Sequence, residues 1–157
     1  MGRPPRSSRA LKRIVIISLA VLLFLALSGL LARFLSVENT ERDDDLALIE
    51  AQARGDVPGM LARLSGCGSR PGCLATVRAN AANPRLRRAG AVKILSLKSS
   101  TAYSPTGGSG ETRLAWTVIG KLPVVQCIEV RRSGNVLKGV SVALLSLSAP
   151  IPNEADC

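Results

Sequence analysis

The segment from Thr112 to Ile119 reads TRLAWTVI, and after a bend at Gly120 to Pro123 it is followed by VVQCIEVR from Val124 to Arg131. Apolar and polar residues alternate in both segments, and β-branched residues are frequent, which is typical of strands with one buried face. The short bend predicts an antiparallel hairpin. The expected apolar face consists of Leu114, Trp116, Val118, Val124, Ile128 and Val130.

Two further strands extend this hairpin on its two sides. Ala91 to Thr101 precedes it, separated by the glycine-rich turn SPTGGSGE, and Val136 to Leu147 follows a turn at Ser133-Gly134-Asn135. Because short connections join neighbours in sequence, the pattern predicts a four-stranded antiparallel meander. The apolar face continues in the last strand through Val136, Val140, Val142 and Leu144.

Three short helices are predicted before the sheet. The first follows an N-cap at Asp44 or Asp45 and ends near Gly55, and Asp56 caps the second. The third covers Leu74 to Ala82 and ends before a proline. We therefore expect an α+β domain in which helices cover the apolar face of a curved sheet.

The stretch IEAQARGDVPGMLARL, from Ile49 to Leu64, is a helix that enters an Arg-Gly-Asp break followed by a second Leu-rich helix. It resembles the opening of NTF2-like (SnoaL-like, cystatin-superfamily) domains. The resemblance implies three short helices packed on a curved four-stranded antiparallel sheet. Membrane-anchored members of bacterial envelopes serve as assembly or accessory components, which implies a similar role here. Enzymatic members usually carry His or Asp in a cone-shaped pocket, and this chain has no histidine, so catalysis is not implied.

Ahead of the domain, Ile14 to Ala32 is a run of nineteen residues without a charge. As a helix it would be about 28 Å long, which matches the hydrocarbon thickness of a bilayer. Five basic residues and no acid precede it, so the positive-inside rule places the N-terminus in the cytoplasm and the rest outside. The expected organisation is a cytoplasmic basic arm (1–13), a single-pass transmembrane helix (14–32), an acidic stalk (33–45) and an extracytoplasmic α+β domain (46–157), located at the plasma membrane.

Two rival interpretations concern processing of this segment. The apolar core of a cleaved signal peptide is usually 7–15 residues and ends at a small-x-small site, whereas this run is longer and ends in LLARFL. An uncleaved signal-anchor is therefore expected. Leu64-Ser65-Gly66-Cys67 resembles a lipobox, but it lies over thirty residues beyond the apolar run, so acylation is not expected.

The four cysteines are expected to form disulfides, because the predicted compartment is oxidising. Cys67 and Cys73 flank the flexible segment GSRPG and are the favoured pair. Cys127 and Cys157 would then pair by elimination and tie the C-terminal tail across the sheet. A zinc site is the alternative, but no C-x₂-C knuckle is present, so neither a metal nor a cofactor is expected.

The domain is strongly basic, with fourteen basic and five acidic side chains between residues 51 and 157. This charge could be a solvated surface, or it could attract anionic lipid, an anionic envelope polymer or an envelope protein. Nucleic acid is not expected, because the domain is predicted to lie outside the cytoplasm. The candidate basic face consists of Arg85, Arg87, Arg88, Arg131, Arg132 and Lys138.

The absence of histidine removes the commonest general base. We therefore expect a non-catalytic binding or scaffold domain of a bacterial-type cell envelope, attached to the lipid bilayer by its helix. The alternative is a ligand-binding or enzymatic pocket around Trp116 in the concave sheet. Inward polar groups in a cavity would favour that pocket, whereas close packing by Leu61, Leu64 and Val77 would favour the scaffold. The sequence predicts no oligomeric state.

Overall fold

The computed structural model describes residues 7–100, 107–135 and 139–157. Four strands form one antiparallel sheet in the order β1-β2-β3-β4, so the α+β class and the meander expected from the sequence are confirmed. The chain divides into two compact units, residues 1–36 and residues 37–157. The elements are α1 (Ser7–Arg54), α2 (Val57–Arg63), a 3₁₀ turn (Cys67–Ser69), α3 (Pro71–Ala82), β1 (Val92–Ser99), β2 (Gly107–Val118), β3 (Val124–Asn135) and β4 (Gly139–Leu147).

The first unit contains the apolar part of α1. Leu11–Ala32 has a mean hydropathy of 2.9, and no part of its most apolar window is buried. A helix of this length and composition is able to cross a bilayer, and both membrane anchors and signal sequences have this character. It is the one such helix within the part of the chain that the structure describes.

Helix α1 continues into the second unit, where the sequence predicted a stalk and a new helix start. It runs through residues 33–45 and ends at Arg54, so neither Asp44 nor Asp45 is an N-cap. No glycine or proline occurs between residues 33 and 54, and the backbone therefore has no strong reason to leave the helix. The acidic segment is therefore helical, and its residues from 37 to 45 belong to the second unit.

The strands are longer at one end of the sheet than the sequence predicted. Gly107 to Glu111, expected in a turn, pairs with Ser133 to Glu129 of β3, and β3 itself runs to Asn135. An added Cβ at Gly107 would collide with the Arg132 carbonyl oxygen, so glycine permits this close pairing. Residues 101–106 and 136–138 lie outside the described residues, and so does the side chain of Val140. The predicted inward positions of Val136 and Val140 therefore fall outside the described part of the chain.

The inner face of the sheet is the apolar face that the alternation predicted. All six residues named for β2 and β3 are at most 9% exposed. In β4, Leu144 also faces the core, but a bulge opposite Glu129 and Val130 shifts the register. As a result Leu147, and not residue 146, is the next β4 side chain in the core cluster.

Helices α2 and α3 cover this face together with α1. Asp56 is the N-cap of α2, as predicted, and its carboxylate accepts a hydrogen bond of 2.9 Å from the Gly59 amide. Helix α3 begins at Pro71, three residues before the predicted start, because proline is well suited to the first helical turn. Leu64 and Val77 are buried in the same cluster as Trp116, and Leu61 packs against it.

The outer edge of β4 is covered by the segment between α2 and α3. Leu64 forms a parallel bridge with Leu144, and the Ser65 amide donates to the Leu144 carbonyl at 2.7 Å. The Arg70 guanidinium donates to the next carbonyl, that of Leu145. Backbone groups that a neighbouring chain could otherwise pair with are thereby used within the domain.

Both cysteine pairs are those favoured by the sequence. Cys67 and Cys73 have Cα atoms 5.4 Å apart, and those of Cys127 and Cys157 are 5.6 Å apart. The tail before Cys157 first pairs with β3 through an antiparallel bridge and then contacts Arg113 of β2. Its Ile151 amide donates to the Val125 carbonyl at 2.8 Å, and Arg113 donates to the carbonyls of Asn153 and Ala155.

We expect the two disulfides to contribute unequally to stability. The Cys127–Cys157 bridge closes a segment with a sequence separation of 30, against 6 for Cys67–Cys73. In the chain-entropy model, serine replacement of the longer pair should cost on the order of 3 kcal/mol, and replacement of the shorter pair about 2 kcal/mol. Urea unfolding of the full chain in a non-ionic micelle, followed by tryptophan fluorescence, measures both. An equal loss for both pairs would contradict the loop-length argument.

Candidate functional site

A buried polar network joins α1 to the centre of the sheet. Gln52 donates its side-chain amide to Gln126 Oε1 at 2.9 Å, and Gln126 donates back to Gln52 Oε1 at 3.2 Å. The Trp116 indole nitrogen donates to the same Gln126 oxygen at 2.9 Å. Gln126 also donates to the Ser148 carbonyl at 2.9 Å. Trp116 is fully buried, so it packs in the core and does not line an open pocket.

A buried ion pair also joins α1 to the sheet. Its α1 residue precedes Gln52 and is closer in sequence to the apolar segment. Arg132 donates through Nε and Nη2 to Glu41 Oε2, at 3.1 and 2.5 Å. Thr112 donates its hydroxyl to the other Glu41 oxygen at 2.9 Å. Glu41 is 1% exposed and Arg132 is 8% exposed. Both oxygens of a fully buried carboxylate are therefore hydrogen-bonded, which is what such a group requires.

This ion pair corrects the assignment of Arg132 to the basic face. Arg132 follows Ile128 and Val130 at the alternating positions of β3, and all three side chains are buried. The sequence interpretation treated Arg131 and Arg132 as one exposed pair, but neighbouring residues of a strand point to opposite faces. Arg131 is the exposed member of the two.

Asp45 lies one helical turn beyond Glu41 and is fully buried. Neither of its carboxylate oxygens has a hydrogen-bond partner among the described residues. Burial raises the pKa of Asp45 from 3.8 to about 8, and the nearby charges of Glu41 and Asp44 act in the same direction. The Asp45 carboxyl is therefore protonated through most of the neutral range. A buried acid of this kind is a common feature of functional sites.

The remaining basic residues do not form a single face. Arg85, Arg87 and Arg131 are exposed and Arg88 is half-buried, while Lys138 lies outside the described residues. Arg88 donates to the Leu122 carbonyl at 2.6 Å, in the bend before β3. Arg131 is seven positions along β3 from Val124, a distance of about 23 Å at the usual rise of a strand. The structure therefore separates Arg131 from the arginines that precede β1.

A cavity of about 580 Å³ lies beside the end of α1. Trp116 is not among its lining residues, although the guanidinium carbon of the lining residue Arg88 is 5.3 Å from the centroid of the Trp116 ring, and the lining is mostly small and basic. No group of three potential metal ligands occurs among the residues that the structure describes. The cavity is lined by Glu50, Ala53, Arg54, Arg87, Arg88, Ala89, Gly90 and Val92.

The buried acids Glu41 and Asp45 were missed in the sequence because they lie in an acidic segment that has the composition of a solvated stalk. A helical signal was nevertheless present. Glu41, Asp45, Leu48 and Gln52 recur at intervals of four, three and four residues, which places them on one side of a helix. Sequence periodicity finds such a face only when buried polar residues are counted together with the apolar ones.

We expect Glu41→Gln to destabilise the domain by about 3–5 kcal/mol, because it leaves the buried Arg132 charge without its counter-ion. Replacing both partners, with Glu41→Leu and Arg132→Met, should recover most of the loss. Asp44→Asn is the control, since Asp44 and Arg63 form an exposed pair at 3.5 Å whose loss should cost under about 1 kcal/mol. Similar losses for Glu41→Gln and Asp44→Asn in urea unfolding would contradict the prediction.

Asp45 should make stability depend on pH. Its pKa is about 8 in the folded chain against 3.8 for an ordinary aspartate, so between these values the folded state binds the proton more tightly. The free energy of unfolding should then fall as pH rises from 5 to 8, by up to about 1.4 kcal/mol per pH unit. Asp45→Asn should remove this slope and raise stability at pH 8. The exposed Asp43→Asn is the control, and an unchanged slope in Asp45→Asn would refute the assignment.

No known protein family, curated protein or solved structure matches this chain in the comparisons made.

Proposed function

We propose that this protein is a single-pass membrane protein whose domain, residues 37–157, lies outside the cytoplasm and acts by binding, without catalysis. In this proposal the domain serves a bacterial-type cell envelope as a scaffold or accessory component. The NTF2-like relationship suggested by the Arg-Gly-Asp break between α1 and α2 is part of the same proposal. The order of helices and strands in the domain supports this relationship.

One observation carries the anchored part of the proposal: a single helix supplies both the apolar segment and a buried element of the domain. Helix α1 begins at Ser7 and ends at Arg54, and one side of the helix from Glu41 onward is buried in the domain. A cleavage just after Ala32 would cut within this helix. Cleaved signal peptides usually have an apolar core of 7–15 residues, whereas this uncharged run has nineteen residues and ends in LLARFL.

The composition of the inner face supports binding over catalysis. Gln52, Gln126 and Trp116 hydrogen-bond mainly to one another, and Glu41 is occupied by Arg132 and Thr112. These groups satisfy buried polar atoms and leave little free capacity for a substrate. The two disulfides favour an oxidising compartment, which agrees with a domain outside the cytoplasm.

A role for Asp45 in proton transfer is the second candidate function. Its support is the unpartnered, fully buried carboxyl, whose raised pKa would suit a proton donor or acceptor near neutral pH. Against it, the cavity of about 580 Å³ described above is lined by other residues. The Asp45→Asn variant tests this candidate, because an amide neither donates nor accepts a proton in catalysis near neutral pH, so an Asp45-dependent reaction would be lost while the fold is kept.

The anchored topology is tested with a disulfide-dependent phosphatase fused after Cys157 and expressed in bacteria. We expect the fusion in the membrane fraction, at the mass of the uncut chain, with an active reporter. A variant carrying Leu22→Arg and Leu25→Arg should lose this attachment, since charges at the centre of a span are costly. A shortened soluble product, or an inactive cytosolic reporter, would refute the proposal.

Partner binding is tested by crosslinking envelope preparations to the full chain. The informative variant carries Arg85→Glu and Arg131→Glu, because both side chains are exposed. Arg132 is left unchanged, since its substitution would break the buried pair with Glu41. We expect specific crosslinks that the charge reversal removes. Capture that is identical in the variant would exclude these arginines from the binding surface.

A further inference from the structure

We infer that the cavity beside the end of α1 is a binding site for a phosphate group carried on a small apolar body. The inference concerns a site different from the buried network and does not depend on the topology proposed above. Three arginines and one glutamate line the cavity, so its net charge is +2. Its volume, about 580 Å³, lies in the range of cavities that hold small molecules.

Arg87 is the least engaged of the three arginines. Its side chain has no hydrogen-bond or ion-pair partner among the described residues, and it is exposed. Its guanidinium lies beside Gly55, where an added Cβ would come within 3.0 Å of Arg87 Nε and 3.1 Å of the Ala81 carbonyl oxygen. Gly55 has a φ of +72°, a conformation that glycine adopts readily. The glycine therefore leaves room for the Arg87 head group at the cavity.

Arg88 is held in place by three contacts. Its Nε donates to the Arg85 carbonyl at 2.8 Å, and its Nη1 donates to the Leu122 carbonyl at 2.6 Å. Its guanidinium carbon lies 5.3 Å from the centroid of the Trp116 ring, a cation–π arrangement. All of these partners are neutral, so they orient the Arg88 charge without cancelling it. A fixed charge at the cavity costs little ordering entropy when a ligand binds.

Arg54 and Glu50 partly offset each other. They are one turn apart on α1, with Arg54 Nη1 and Glu50 Oε2 4.0 Å apart, beyond hydrogen-bond distance. Arg54 also stands in the last turn of the helix, where a cation balances the partial negative charge of the helix end. The positive charge available to a ligand thus comes chiefly from Arg87 and Arg88.

The charge and the lining of the cavity favour a phosphate monoester over a simple carboxylate. A phosphate monoester carries about −1.5 to −2 charges at neutral pH and matches two guanidinium groups, whereas a carboxylate carries only one. Ala53, Ala89 and Val92 give the cavity an apolar wall for the remainder of the ligand. An added Cβ at Gly90 would come within 2.9 Å of Val118 Cγ1, so a side chain is disfavoured at this lining position.

The test is calorimetric titration of the full chain in non-ionic micelles, with phenyl phosphate as the probe. Arg87→Gln and the double variant with Arg54→Gln should each weaken binding at least tenfold. Gly55→Ala keeps every charge but displaces Arg87, and it should also weaken binding. Arg78→Gln, an exposed arginine of α3 outside the cavity, is the matched control and should bind as the parent does. Circular dichroism and tryptophan fluorescence verify that each variant is folded.

Two further probes identify the source of the phosphate group. Dihexanoyl phosphatidic acid presents it as a lipid headgroup, and inorganic phosphate presents it without an apolar body. Stronger binding of the lipid than of phenyl phosphate would assign the site to a headgroup, and the reverse order would assign it to free phosphate monoesters. The absence of saturable binding by all three probes at millimolar concentration would overturn the inference. An equal loss in Arg78→Gln and Arg87→Gln would overturn it as well, since binding would then follow net charge alone.

Discussion

The structure of the domain depends on the pairing of polar groups between one face of α1 and the sheet. A helix that carries Glu41 and Gln52 on its buried side packs favourably only where the sheet supplies complementary donors and acceptors. Arg132 and Thr112 do so at one end, and Gln126 does so near the middle. Leu48 and Ile49 lie between these polar contacts and supply the hydrophobic burial. The polar pairs therefore set the position of α1 along the sheet, because a shift of one turn would leave buried charges unpaired.

The same arrangement explains which parts of the fold could be predicted from the sequence. The meander was predictable because alternation and short bends are local signals, and Leu114, Trp116 and Val118 lie on the face that they indicated. The N-cap at Asp56 was predictable because its acceptor role involves residues three positions apart. The cysteine pairs followed from spacing and elimination. Each of these inferences needed only a short stretch of chain or a count.

The remaining features depended on contacts that are distant in sequence. The buried pair joins Glu41 to Arg132, which have a sequence separation of 91, and no local pattern connects them. Without that partner, the acids of residues 33–45 have the composition of a solvated linker. For the same reason, the sequence indicates that Arg131 and Arg132 form an exposed basic pair. The cavity beside α1 was missed as well, because it is formed where the helix end, the segment after α3 and the start of β1 meet.

The covered edge of β4 has a counterpart on the opposite side of the sheet. Strand β1 is the other edge, with Lys93 and Lys98 exposed and with a register shift between Ile94 and Ser96. Charged side chains and irregular spacing both hinder the addition of a foreign strand. The segment between α2 and α3 thus covers one edge of the sheet, and exposed lysines protect the other edge. Edge-to-edge association of two copies of this chain, the first step of fibre growth, is accordingly disfavoured at both edges.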